Sequence, residues 1–184
     1  IIPGLVGSEM CIRDRDLTAS VAYVYESPEA ERMWHVLITQ AGVISLCNWY
    51  RPGASSIDVV TSFREEFIEF ASDSLACIVA GDLNFHSKEW LRYSNANTQE
   101  AALMQQICAE FSLHEWVRQP TRGEYLLDLC LSNCEHVSCK LGAPIADHCT
   151  LFLRVKVPCI ERVSIQRRVW DCLLYTSPSP RDPE

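Results

Sequence analysis

The sequence predicts one layered domain of the mixed α/β (or α+β) class, and three observations lead to this prediction. Two segments, residues 57–70 and 98–112, carry apolar residues at helical spacing. Short apolar runs of strand length lie before, between and after them. Strands that alternate with helices, together with an antiparallel hairpin, are typical of layered α/β architecture. A chain of 184 residues has the usual size of a single domain.

The first elements form a predicted hairpin followed by a helix. Residues 33–39 and 43–50 are apolar and rich in β-branched residues, and residues 40–42 fit the turn between them. Proline and glycine at 52–53 end the second strand. Ser55 or Ser56 can cap the helix that follows.

The later elements continue the alternation. Residues 75–80 read as a strand covered on both faces. The second helix has Asn97 and Glu100 placed as N-cap and N3 partner. Three further strands are predicted, at residues 113–118, 125–133 and 149–157.

Composition favours a reduced, intracellular protein. Four of the ten cysteines lie inside apolar runs, where free cysteine behaves as a small hydrophobic residue: Cys47, Cys77, Cys108 and Cys130. No apolar run is long enough to span a membrane, so no membrane partner is expected. The net charge of −8 argues mildly against a large phosphate-binding surface but fits a site rich in carboxylates.

The two ends of the chain have an unexpected relationship. Residues 5–15 and 172–181 can be encoded, in different frames, by opposite strands of one oligonucleotide that resembles a sequencing adaptor. We therefore expect residues 1–15 and 172–184 to be non-native and residues 16–171 to be a partial domain. A signal peptide at the N-terminus is the rival interpretation, but a basic leader and a long apolar centre are lacking.

Polar residues cluster where predicted strands end. Tyr50 precedes Pro52, and Asp82 and Asn84 follow the strand at 75–80. Each of these is by itself better explained as an ordinary strand end or turn. Asp128 is different, because a carboxylate inside the apolar segment YLLDLCLSN must be paired if it is buried.

A pair formed by Asp147 and His148 precedes the last strand. With Asp82, Asn84 and Asp128, this pair supplies three carboxylates, an amide and an imidazole. Such a set can bind a divalent cation through oxygen, orient a water molecule and stabilise charge on a phosphate.

The segments WYRPG, GDLNFHSKEW, QPTRGEYLLDLCLSN and IADH, in this order, resemble the endonuclease/exonuclease/phosphatase superfamily. The closer resemblance is to the apurinic-type endonuclease domain of non-LTR retrotransposons, after which sequences similar to IQRRVWD at 165–171 are common. The resemblance implies a four-layered α/β sandwich, incomplete here on its N-terminal side. It also implies Mg²⁺ (or Mn²⁺) as cofactor, DNA as substrate, a reverse transcriptase domain in the intact polyprotein, and a nuclear or cytoplasmic location.

The resemblance also implies roles for nine residues. Asp82 and Asn84 would orient the water and the scissile phosphate, and Asp128 would pair with His148 to support it as a charge stabiliser or acid/base. The remaining implied roles are phosphate contact for Tyr50 and Thr121, metal binding for Asp147, and substrate binding for Arg122 and His86.

Three departures from the family pattern predict low activity. The catalytic asparagine and the metal-binding glutamate of the family lie on early strands, and nothing before Tyr50 matches them. Glu26, Glu29 and Glu31 are expected in a loop. Ala146 also stands where family members often carry serine. We therefore expect the chain to be inactive or nearly so.

Two alternatives remain open at the level of sequence. One is another phosphoesterase of the same superfamily, acting on abasic sites, lipids or inositol phosphates. The other is a partial translation without a selected function.

Overall fold

The computed structural model describes residues 20–28, 30–39 and 41–156. They form a six-stranded sheet, a two-stranded sheet and two α-helices, so the predicted mixed α/β class is confirmed. The proposed non-native ends, Glu29 and the segment at 165–171 lie outside the described residues.

The six-stranded sheet has the order β1-β2-β3-β4-β6-β5. Its strands are β1 (Ser20–Glu26), β2 (Arg32–Ile38), β3 (Val43–Trp49), β4 (Ala76–Asp82), β5 (His114–Glu115) and β6 (Asp128–Ser132). Neighbours are antiparallel except β3 and β4, which run parallel. A parallel pair needs a crossover, and helix α1 (Asp58–Phe70) supplies it between β3 and β4.

Aromatic packing joins α1 to the sheet. Phe63 lies between Trp34 of β2 and Trp49 of β3, and Phe67 packs edge-on against Trp34. All four rings are buried. The apolar spacing that predicted the helix therefore faces the core, as expected.

A buried ion pair holds the same helix in register. Arg32 donates two hydrogen bonds to the carboxylate of Glu66 at 2.7 Å, and the indole of Trp34 donates a third. Burial alone would raise the pKa of Glu66, but the hydrogen bonds and charge of Arg32 outweigh burial and lower it. Because removal of one partner would leave a buried charge, this pair fixes how α1 packs on β2.

Helix α2 (Gln99–Glu110) begins at a different cap from the predicted one. Thr98 accepts a hydrogen bond from the amide of Ala101, whereas Asn97 accepts one from the amide of Lys88. The prediction of Asn97 as N-cap is wrong because its side chain is used to close the preceding loop.

In α1 the N-cap position is Ile57, without a side-chain cap, and Ser56 accepts the amide hydrogen of Asp58.

The last two strands form the separate two-stranded sheet. They are β7 (Val137–Ile145) and β8 (His148–Val155), joined by a tight turn at Ala146 and Asp147. Strands β1 and β7 were not predicted, and β5 has two residues instead of the predicted six. Strand β6 begins at Asp128, so that carboxylate lies at a strand end and not in its centre.

The core is apolar and contains thiols. Cys47, Cys77, Cys108 and Cys130 are buried, as predicted, and burial raises the pKa of Cys108 and Cys130 to about 12. None of the helices in the described part of the chain is long and apolar enough to cross a membrane.

Candidate active site

Three predicted residues lie close together where β4 ends and β6 begins. Strands β4 and β6 are antiparallel, and their register places Asp82 directly opposite Asp128. The turn between β7 and β8 brings His148 to the same place. Its Nδ1 lies 2.8 Å from Oδ2 of Asp128, and its Nε2 lies 3.9 Å from Oδ2 of Asp82. The geometry thus contains the Asp128–His148 pair that the resemblance implied.

The Asp128 contact determines how the imidazole is oriented. An ionised carboxylate only accepts hydrogen bonds, so Nδ1 of His148 is the donor and Nε2 faces Asp82. The side chains of His148 and Asp128 are 25 % and 15 % exposed, so solvent still reaches the ring. This arrangement leaves one ring nitrogen free to exchange a proton or donate to an anion.

Asp82 has an unsatisfied oxygen. Its side chain is 18 % exposed, and Oδ1 is buried without a hydrogen-bond partner among the described residues. Burial, and then the nearby charge of Asp128, raise the pKa of Asp82, while His148 opposes the shift. A buried acceptor without a donor costs free energy, and such atoms are found where a water, an ion or a substrate binds.

The end of β4 and the loop after it have an unusual backbone. Gly81 has φ +146°, and a Cβ atom there would lie 2.0 Å from the carbonyl oxygen of Trp49. Asn84 has φ +48°, a left-handed conformation that asparagine tolerates better than most residues. Glycine is therefore needed at position 81 for β4 to approach β3. The turn that follows places Asn84 next to the end of β4.

Arg51 stabilises this loop, a role that the sequence analysis missed. It is 1 % exposed, and its guanidinium donates to the carbonyls of Leu83 and Asn84 and to the hydroxyl of Ser55. It also lies over the ring of Phe85, 4.5 Å from its centroid. Burial lowers its pKa, an effect that the charges of Glu100 and Asp82 oppose.

An open cavity of about 370 Å³ adjoins Asp82. Tyr50, Asn48, Glu26 and Glu31 also line it, and Tyr50 is 47 % exposed. The expectation that Glu26 lies in a loop is wrong, because it is the last residue of β1. Strand β1 was missed since its alternation is short and no clear turn residue precedes it in the sequence.

Thr121 is almost fully buried and serves the fold. Its hydroxyl accepts hydrogen bonds from the amides of Leu127 and Asp128, and its carbonyl accepts one from the amide of Cys149. Thr121 therefore connects β6 with the β7–β8 hairpin. Its hydroxyl keeps one hydrogen to donate.

Arg122 and Asp147 contact each other. Nη2 of Arg122 lies 2.6 Å from Oδ2 of Asp147, and both side chains are about half exposed. Asp147 does not line the cavity beside Asp82. Asp147, predicted to bind metal, thus forms an ion pair with Arg122, predicted to bind substrate.

His86 lies farther along the loop. Its ring is half-buried, its Nδ1 has no partner among the described residues, and its carbonyl accepts from the amide of Thr98.

The oxygen atoms that line the cavity are of the type that a hard cation such as Mg²⁺ prefers as ligands. Asp82, Glu26, Glu31 and Asn48 offer carboxylate and amide oxygens, and one acceptor of Asp82 is unsatisfied. Within the described ranges, however, no three histidine, cysteine or acidic side chains are close enough to hold an ion together. Mg²⁺ keeps several waters and uses one or two protein carboxylates, so the donor set fits a loosely held Mg²⁺.

Comparison with solved structures found a likeness in fold. No family model matches the chain, and no curated protein is similar enough in sequence to match. A solved structure that matches is described as the endonuclease domain of TRAS1, a telomere-specific non-LTR retrotransposon. The two chains are 16 % identical, the TM-score is 0.58, and the match covers 73 % of this chain and 67 % of that chain. At this identity the likeness concerns the fold.

Proposed function

We propose that this chain belongs to a metal-dependent DNA endonuclease of a non-LTR retroelement and that its site hydrolyses a phosphodiester to nick one strand. The observation that carries the proposal is the juxtaposition of Asp82, Asp128 and His148 at the end of β4 and β6. The fold shared with a retrotransposon endonuclease domain supports it, as do the sequence motifs that carry these residues.

The chemistry assigned to the cluster follows from its geometry. Asp128 holds His148 so that Nε2 faces Asp82, where an oxygen of the scissile phosphate would receive a hydrogen bond. The unpartnered Oδ1 of Asp82 would orient the attacking water, with Asn84 nearby.

Mg²⁺ (or Mn²⁺) would be held at the cavity, with Asp82 as its main ligand and Glu26, Glu31 or Asn48 nearby. When bound, the ion supplies positive charge next to the phosphate. Because the described residues contain no tight ligand set, we propose that this chain holds the ion weakly and nicks DNA slowly.

Exposed Tyr50 at the rim of the same cavity is proposed to contact the phosphate. In the intact polyprotein, which would act in the nucleus or cytoplasm, a reverse transcriptase domain would use the nicked DNA.

Nicking of supercoiled plasmid tests the proposal. With millimolar Mg²⁺ and long incubation, the purified chain is expected to produce open circles slowly, and Asp82→Asn or His148→Gln should abolish them. A matched control is Asp58→Asn, an exposed aspartate at the start of α1. Nicking that survives Asp82→Asn, or its complete absence at every Mg²⁺ and protein concentration, would refute the nuclease assignment. Rapid nicking would refute the weak metal site.

A further inference from the structure

The β7–β8 hairpin carries His148, yet it belongs to a different sheet from its partners Asp82 and Asp128. No ladder of strand hydrogen bonds joins the two sheets in the described part of the chain. Leu151, Leu153 and Val155 of β8 pack against the core, whereas the turn beside His148 is attached by polar contacts of its own.

The backbone of that turn is strained. Ile145 pairs with His148, which leaves Ala146 and Asp147 as a two-residue loop. Ala146 has φ +57°, and this first position of a tight hairpin normally carries glycine when φ is positive. A strained turn needs neighbouring contacts to keep one conformation.

Three contacts attach the turn to the large sheet. The amide of Cys149 donates to the carbonyl of Thr121 at 2.8 Å, His148 bonds Asp128, and Arg122 pairs with Asp147 at 2.6 Å. Among these, only the pair of Arg122 and Asp147 holds the turn residue that lies between strained Ala146 and His148.

We propose that Arg122 is a positioning residue, whose ion pair with Asp147 fixes the hairpin turn and so keeps His148 between Asp128 and Asp82. The effect on nicking rests on the proposed function, whereas the effect on the position of His148 does not. It assigns to Arg122 and Asp147 a role other than substrate contact and metal binding.

The exposure of the pair makes the proposal testable without unfolding the protein. The two side chains are 49 % and 59 % exposed, and exposed ion pairs contribute little to global stability. The pair of Arg64 and Glu110, which joins the two helices, is 43 % and 41 % exposed and serves as a matched control.

The first measurement uses the Nδ1-bound proton of His148 in ¹H–¹⁵N spectra of histidine-labelled protein. We expect Arg122→Met to weaken or remove this signal because the bond to Asp128 loosens, while Arg64→Met leaves it unchanged. The charge-swapped double variant Arg122→Asp with Asp147→Arg should restore it. An unchanged signal in Arg122→Met would overturn the proposal. Asp147→Asn, a smaller change, provides the same readout if Arg122→Met does not fold.

The second measurement separates positioning from phosphate contact. A positioning role predicts that Arg122→Met lowers kcat for nicking by up to about 5-fold, because a half-exposed ion pair can bias the turn only weakly, with KM and the salt dependence of DNA binding unchanged. A phosphate contact would instead raise KM and reduce the salt slope by about 1, which would overturn the inference. Loss of the histidine signal in a chain that never nicks DNA would refute the proposed function and leave the positioning role intact.

Discussion

Arg51 and Asn84 hold each other through reciprocal hydrogen bonds. Nη2 of Arg51 donates to the carbonyl of Asn84 at 2.8 Å, and Nδ2 of Asn84 donates to the carbonyl of Arg51 at 3.0 Å. The end of β3 and the loop after β4 are thereby joined next to Asp82. This bond uses one hydrogen of Nδ2, so Oδ1 and the second hydrogen of Nδ2 of Asn84 remain for a water, a substrate or Asp82.

Substitution of Arg51 should strongly destabilise the protein. Arg51→Met removes the donors to two carbonyls and one hydroxyl, and the loss of buried hydrogen bonds from a charged group is expected to cost about 3 kcal/mol or more. Urea denaturation measures the change. Arg64→Met, at an exposed arginine, is the control and should destabilise the protein much less. Equal losses in the two variants would contradict the role given to Arg51.

Gly81→Ala tests the close approach of β4 to β3. The added methyl group would collide with the backbone carbonyl of Trp49, which no rotamer can relieve. We expect a loss on the order of 3 kcal/mol or more, or failure to fold, because the strand pairing beside Asp82 must shift. The measurement is the free energy of unfolding.

Gly123 offers a matched control for that variant. It also has positive φ (+57°), but a Cβ atom there would have no neighbour within 4 Å. Gly123→Ala should therefore cost only the backbone penalty of about 1 kcal/mol. If Gly81→Ala were no worse than Gly123→Ala, the contact with Trp49 would not be limiting.

Local patterns predicted those elements whose apolar spacing is regular. Helix α1, the β2–β3 hairpin and β4 were expected within a few residues of their bounds, because one face or both faces of each are buried. Strand β7 was missed since Gly142 and Pro144 interrupt it, and both are unfavourable inside strands.

The residues of the candidate site were proposed from the sequence, but the contacts that hold them in place were not. Asp82 and His148 were indicated by their polar character next to predicted strands, Asp128 by its place inside an apolar segment, and the resemblance supplied the pairing of Asp128 with His148. Nothing local distinguishes Arg51, because WYRPG has the pattern of an exposed strand end and burial depends on the later GDLN loop. The same holds for Arg122 and Asp147, whose contact depends on how the hairpin docks.

Glu115 predicts a pH dependence of stability. This residue of β5 has a side chain that is only 9 % exposed. Burial raises its pKa to about 7, although the amide of Val117 and the charge of Arg118 oppose the shift. The folded protein therefore keeps a proton on Glu115 at pH values where the unfolded chain, with a pKa near 4.5, has lost it.

The sign follows from proton binding. Between pH about 4.5 and 7 the native state binds more protons than the unfolded state, so the free energy of unfolding falls as pH rises, by at most about 3 kcal/mol for this group. Glu115→Gln should flatten that part of the curve, and the comparison between parent and variant removes the parallel contribution of Asp82, whose pKa is also raised. Urea denaturation at pH 5, 6, 7 and 8 measures both curves. If the two curves run parallel across this range, Glu115 is not protonated in the folded state, and the prediction is wrong.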